Sequence, residues 1–120
     1  MTELDRLVAQ LRDFARERDW DQFHSPKNLA MALAVEAAEL LEIFQWLTEE
    51  ESRTLDEWRR AQAREEIADV LLYVLRLADR LGIDPLGAAA DKIRKNAERY
   101  PAEKVRGQAR KADDYDDPGG

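Results

Sequence analysis

The sequence contains no cysteine, which excludes disulfides and thiolate metal sites. It contains a single histidine, His24, too few for a di-iron carboxylate bundle with its two Glu-x-x-His motifs. Glycine (5) and proline (4) are sparse, and several of them sit where helices should begin or end. No apolar run approaches the roughly 20 residues needed to span a bilayer. The opening residues, Met-Thr-Glu-Leu-Asp-Arg, lack the charged-then-apolar pattern of a secretory signal. Basic charge is also short. The formal net charge of −7 opposes a nucleic-acid binder, which needs a basic face to displace counterions. These absences predict a soluble cytoplasmic protein with neither a nucleic acid nor a membrane as partner.

What remains is a helix-forming mixture. Hydrophobic residues make up 44% and charged residues 38% of 120, a typical length for one domain. The first helix is expected from about Glu3 to Asp19, with Leu4, Leu7, Val8, Leu11, Phe14 and Ala15 on one face. Asp19 to His24 reads as a loop. The second helix should start with Ser25 as cap and Pro26 in the first turn, and run to about Trp46. It is apolar nearly all round, which predicts burial on most sides. Thr48 to Arg53 reads as a connection. Thr54 and Glu57 have capping-box spacing, so the third helix is expected over Leu55 to Leu81, stopped by Gly82. Asp84 and Pro85 restart a fourth helix that ends before Pro101. The predicted fold is an all-α four-helix bundle, with a domain over 1–106 and a polar tail over 107–120. A core of this size with apolar faces to spare favours an oligomer.

The informative feature is acid inside apolar helices. Glu36 and Glu39 lie three apart in the second helix, and Glu66 and Asp69 three apart in the third. That spacing puts each pair on one helical face. One Glu-x-x-Glu alone is usually a solvated face. Two acidic pairs, each within a strongly apolar helix, are a different pattern. Such acids raise each other's pKa unless Lys or Arg partners or a hard divalent cation compensate them. An all-oxygen set without His or Cys suits Mg²⁺ or Mn²⁺, and Mg²⁺ is suited to phosphate esters. Glu42 and Glu65 stand at the margin as further ligands, a base, or exposed charge.

A triphosphate also needs positive charge. Lys92, Asn96, Arg99 and Tyr100 form one stripe of the fourth helix, at i, i+4, i+7 and i+8. Trp20, Phe23, Trp46 and Trp58 are candidate walls for a base, though core packing is the commoner role of a Trp. Tyr73, four residues after Asp69, shares the acidic face. His24, beside a proline-capped helix start, is read first as a local structural hydrogen-bonding group and second as catalytic.

Glu36-Ala-Ala-Glu39 followed by Glu66-Ile-Ala-Asp69 resembles the E-x-x-E…E-x-x-D signature of the all-α NTP pyrophosphohydrolases, which include the MazG proteins and dimeric dUTPases. The stretch from Glu17 through Trp20, His24, Pro26 and Asn28 resembles the dCTP pyrophosphatase branch of that superfamily. So do Phe44-Gln45-Trp46, Lys92…Asn96…Arg99-Tyr100-Pro101 and the tail from Arg106 to Lys111. The similarity covers roughly residues 4–111.

The resemblance implies hydrolysis of an NTP to NMP and pyrophosphate, with pyrimidine deoxynucleotides such as dCTP or a modified dCTP as substrates. A broader nucleotide preference and a non-catalytic helical adaptor are the alternatives. Glu36, Glu39, Glu66 and Asp69 would bind Mg²⁺, which orients the triphosphate and lowers the pKa of an attacking water. Glu39, then Glu42, would be the base. Trp20 and Trp46 would line the base pocket, with Tyr73 near the sugar. His24 and Asn28 would join the substrate site, and Lys92, Asn96, Arg99 and Tyr100 would face the phosphates. The resemblance further implies a tetramer built as a dimer of dimers, with sites completed across subunits. One departure stands out. Vertebrate members carry a base-reaching histidine on the first helix, where this chain has Leu11.

Overall fold

The computed structural model describes residues 1–109. Most of the tail expected from residue 107 onward, including Arg110 and Lys111, therefore lies outside the described residues. Among the described residues the structure is helical, with no strand. The elements are α1 (Glu3–Glu17), a 3₁₀ turn (Asp21–Phe23), α2 (Pro26–Phe44), α3 (Glu49–Arg53), α4 (Glu57–Leu81), α5 (Pro85–Arg99) and α6 (Ala102–Val105). Contacts divide the chain into two units, Met1–Ile83 with α1 to α4 and a second beginning at Asp84 with α5 and α6.

The helix starts follow from their caps. Thr2 accepts from the Asp5 N–H while Asp5 accepts from the Thr2 N–H, a reciprocal box that opens α1. Ser25 Oγ accepts from the Asn28 N–H at 3.1 Å, and Pro26 fills the first turn of α2 as its sequence predicts. The start of α4 differs from expectation. The Thr-x-x-Glu spacing occurs twice, at Thr48/Glu51 and Thr54/Glu57, and only the first pair closes into a capping box. That box turns the expected connection into the short helix α3. Thr54 then ends α3, and Asp56 caps α4 by accepting from the Arg59 N–H at 2.7 Å. Gly82 stops α4 in the left-handed conformation, φ 67°, where a side chain would be strained. Pro85 opens α5 as expected, but Asp84 makes no side-chain cap bond.

In the first unit, α2 packs along α4 and α1 also packs on α4. Ala15, Leu29, Ala63, Leu75 and Ala78 form the buried core. The small residues allow close helix approach, and Leu29 is the largest side chain fully enclosed. Leu29→Ala would cost about 3 kcal/mol, typical of a cavity-forming core deletion. The all-round apolar character of α2 does not bury it within one chain. Met31, Val35 and Leu41 on α2 and Ile67 and Leu71 on α4 remain about half exposed. No helix among the described residues is long and apolar enough to cross a membrane.

Candidate active site

The packing of α2 on α4 brings the acidic faces of the two helices together. Carboxylate oxygens of Glu36, Glu39 and Glu66 come within 4.8 Å of one another. Glu36 Oε2 and Glu66 Oε2 are buried and have no hydrogen-bond partner. No Lys or Arg makes an ion pair with these acids or with Asp69 among the described residues. Basic partners, one of the two remedies open at the sequence level, are thus not used. Burial, reinforced by the facing carboxylates of Glu39 and Glu66, pushes the Glu36 carboxyl up to about 7. Glu66 is raised too, by burial first and then by the charges of Glu39 and Asp69. Buried oxygens without partners are costly. A hard divalent cation would satisfy both and reverse the proton preference, so the donor set fits Mg²⁺ or Mn²⁺. Asp69 stands outside the three-carboxylate set, but its charge acts on Glu36 and Glu66.

Two cavities flank the acids. The larger, about 550 Å³, is bordered by Glu39, Glu42, Trp46, Trp58, Gln62 and Glu66, with Glu65 and Arg59 also at its wall. The smaller, about 240 Å³, is walled by Leu11, Phe14 and Leu72, by the rings of Trp20 and Tyr73, and by His24, Asp69 and Arg76. Its aromatic side is built by the chain's exit from α1. Asp19 adopts φ 54°, a conformation Asp tolerates, and the Trp20 N–H then returns to the Ala15 carbonyl at 2.8 Å. Trp20 packs edge-on to Phe14, centroids 5.6 Å apart, and faces His24 at 6.4 Å.

The residues singled out from sequence are therefore distributed. Glu36, Glu39 and Glu66 meet, with Asp69 beside them. Trp20, Tyr73 and His24 share the smaller cavity. Trp46 does not join Trp20; it is 87% exposed and lies with Trp58 and Glu42 on the larger cavity. Asn28 lines neither cavity, and its side-chain amide donates to the Phe23 carbonyl at 3.0 Å, closing the turn before α2. Lys92, Asn96 and Arg99 are exposed on α5, and the Arg99 guanidinium lies 5.7 Å from the Tyr100 ring centre.

Arg76 escaped the sequence reading. Only 6% exposed, it donates from Nε to His24 Nδ1 at 3.1 Å, from Nη2 to Asp21 at 2.6 Å and from Nη1 to Asp79 at 3.4 Å. Asp79 is also held by Arg12, whose Nε lies 2.8 Å away. The His24 bond is thus long-range, to α4, and not confined to its own turn. The signal was present in Val-Leu-Arg76-Leu, a charge inside an apolar run, the same anomaly that exposed the acids.

The MazG-like family model matches residues 31–115. The chain belongs to the MazG-like family. Its relatives include dCTP pyrophosphatase 1 of Rattus norvegicus, 44% identical over 95% of this chain and 66% of the relative. The Homo sapiens protein of the same name is 45% identical over 92% of this chain and 65% of the relative. The chain thus spans just under two thirds of the length of these curated relatives. A crystal structure of a pyrophosphatase from Archaeoglobus fulgidus superposes with a TM-score of 0.80 at 43% identity, covering 84% of this chain and 94% of that one. The all-helical MazG-like fold expected from the signature is the fold found.

Proposed function

We propose that this chain is a Mg²⁺-dependent nucleoside triphosphate pyrophosphohydrolase acting on pyrimidine deoxynucleotides such as dCTP or a modified dCTP. The observation that carries the reading is the pair of buried, unpartnered oxygens on Glu36 and Glu66, set beside Glu39 between two cavities. The names of the rat and human relatives support the reaction and the base.

In this reading Glu36, Glu39 and Glu66 hold the cation, with Asp69 beside them. A cation held there would supply charge neutralisation for the triphosphate and would acidify an attacking water. The smaller cavity takes the base, stacked by Trp20, with Tyr73 toward the sugar. Glu39, or Glu42 behind it, accepts the proton of the attacking water. The α–β anhydride bond breaks, and the products are the nucleoside monophosphate and pyrophosphate. Lys92, Asn96, Arg99 and Tyr100 supply the phosphate contacts.

The protein works as a homo-oligomer, a tetramer made as a dimer of dimers, in the cytoplasm and without nucleic acid or membrane. The half-exposed apolar residues of α2 and α4 and the 87% exposed Trp46 support assembly. A subunit partner that covered Trp46 would complete the larger cavity.

The test is pyrophosphate release from the common dNTPs and NTPs and from 5-methyl-dCTP, with Mg²⁺ and with EDTA. Magnesium-dependent release, lost in Glu39→Gln by about 10²-fold or more, is the expected result. No release from any nucleotide would favour the adaptor reading instead.

A further inference from the structure

The polar end of the smaller cavity is built to a definite hydrogen-bonding pattern. His24 Nδ1 accepts from Arg76 Nε at 3.1 Å. A guanidinium only donates, so Nδ1 must present its lone pair and the imidazole proton must sit on Nε2. Arg76 is fixed in turn by Asp21 and Asp79, and the His24 carbonyl accepts from Arg80 Nε at 3.1 Å. Both the ring and the backbone of His24 are therefore anchored to α4. Burial first, and then the Arg76 charge, hold the imidazole below its usual range, so the neutral tautomer persists. Its Nε2–H makes no hydrogen bond among the described residues. Of the other lining residues Leu11, Phe14 and Leu72 offer no polar atom, while the Trp20 indole, the Tyr73 hydroxyl and the Asp69 carboxylate supply the remaining polar groups. A cavity of about 240 Å³ suits one heterocycle better than a whole nucleotide.

We propose that His24 reads the base, donating from Nε2–H to a carbonyl oxygen or ring nitrogen on the pyrimidine edge, and that Arg76 is the positioning residue that fixes its tautomer. The inference rests on the pyrophosphohydrolase reading and adds the recognition chemistry to it. A fixed donor selects a base with an acceptor at that edge. A base offering only N–H there leaves two donors opposed.

The test pairs a protein deletion with a substrate deletion. kcat and KM are measured with Mg²⁺ for dCTP and for a tetrahydrofuran triphosphate that lacks a base, in wild type and in His24→Phe. The variant is expected to lose about tenfold in kcat/KM for dCTP, mainly through KM, and about twofold or less for the baseless substrate. Equal losses on both substrates would overturn base reading. No turnover of any nucleotide by wild type would instead overturn the underlying function, and the base contact with it.

A second readout is independent of turnover. The chain has one histidine, so a long-range ¹H–¹⁵N spectrum reports His24 alone. Wild type should show only the Nε2–H tautomer, and dCMP should shift the Nε2 resonance. Arg76→Leu should admit the Nδ1–H form, and Arg76→Lys, which retains a donor, should suppress it again. An Nδ1–H tautomer in wild type, or an Nε2 resonance unmoved by saturating dCMP, would refute the proposal.

Discussion

Glu36 on α2 and Glu66 on α4 each present one buried oxygen to the same small space, and neither oxygen has a partner. The metal-free protein therefore carries a penalty that depends on pH. With its carboxyl raised from 4.5 to about 7, Glu36 binds more proton folded than unfolded between those values. Its stabilising contribution is complete below about 4.5 and is lost as pH rises through about 7. In EDTA, Glu36→Gln should gain melting temperature over wild type across that window and keep the gain above it. Mg²⁺ should raise the wild-type melting point with concentration, as expected of a ligand bound only by the folded state, and leave a Glu36→Gln, Glu66→Gln double variant nearly unmoved. Differential scanning fluorimetry over pH and Mg²⁺ measures both.

Arg76 should be the costliest polar residue of the first unit to remove. Its loss leaves Asp79, 13% exposed in its side chain, short of one cation, and unties Asp21 and His24. Arg76→Met should destabilise by about 3 kcal/mol, the scale for breaking a buried ion pair from one side. Arg12→Ala should cost far less, because Arg12 is 57% exposed and solvent replaces much of what it gives. Asp79, held below its ordinary range chiefly by the Arg12 hydrogen bond, contributes stability above the unfolded value of 3.8 that is lost as pH falls through its lower folded value. Urea unfolding at neutral pH and at pH 3 separates these contributions.

Assembly should be sensitive to charge on the outer face of α2. Met31 and Val35 lie one helical turn apart, and both are half exposed in the single chain. Val35→Asp should leave the helical circular dichroism intact while lowering the mass seen by light scattering. It should also red-shift tryptophan emission if Trp46 is covered in the assembly. Unchanged mass with retained helicity would place the interface elsewhere.

The two acidic pairs were legible because their period matches the helix that carries them, and because charge within an apolar run demands compensation. The cap-and-proline start at Ser25 and Pro26 and the stop at Gly82 were legible for equally local reasons. Two kinds of feature were not. The start of α4 depended on which of two identical spacings closed, and Thr54 had already been used to end α3. The separation of Trp20 from Trp46 depended on the packing of α2 on α4, which no one-dimensional pattern encodes. Arg76 lay between these cases. Its sequence setting was anomalous and Asp79 lies only three residues on, but its partners Asp21 and His24 sit 55 and 52 residues away.

Leu11 bears on base specificity. It lies in the wall of the smaller cavity together with Trp20. An apolar side chain there can pack against a base but cannot distinguish one polar edge from another. Leu11→His adds one hydrogen-bonding group at a half-buried position in the wall of the cavity that His24 also lines. One good hydrogen bond is worth about 0.5–1.5 kcal/mol, so the variant should raise the preference for dCTP over dTTP by about two- to tenfold. The imidazole replaces apolar contact, so a loss of about 1 kcal/mol in stability should accompany it. Competition assays with paired nucleotides measure the preference directly. A stable Leu11→His variant with an unchanged ranking would mean that the base does not reach this wall, and that selectivity is set at His24 and Trp20.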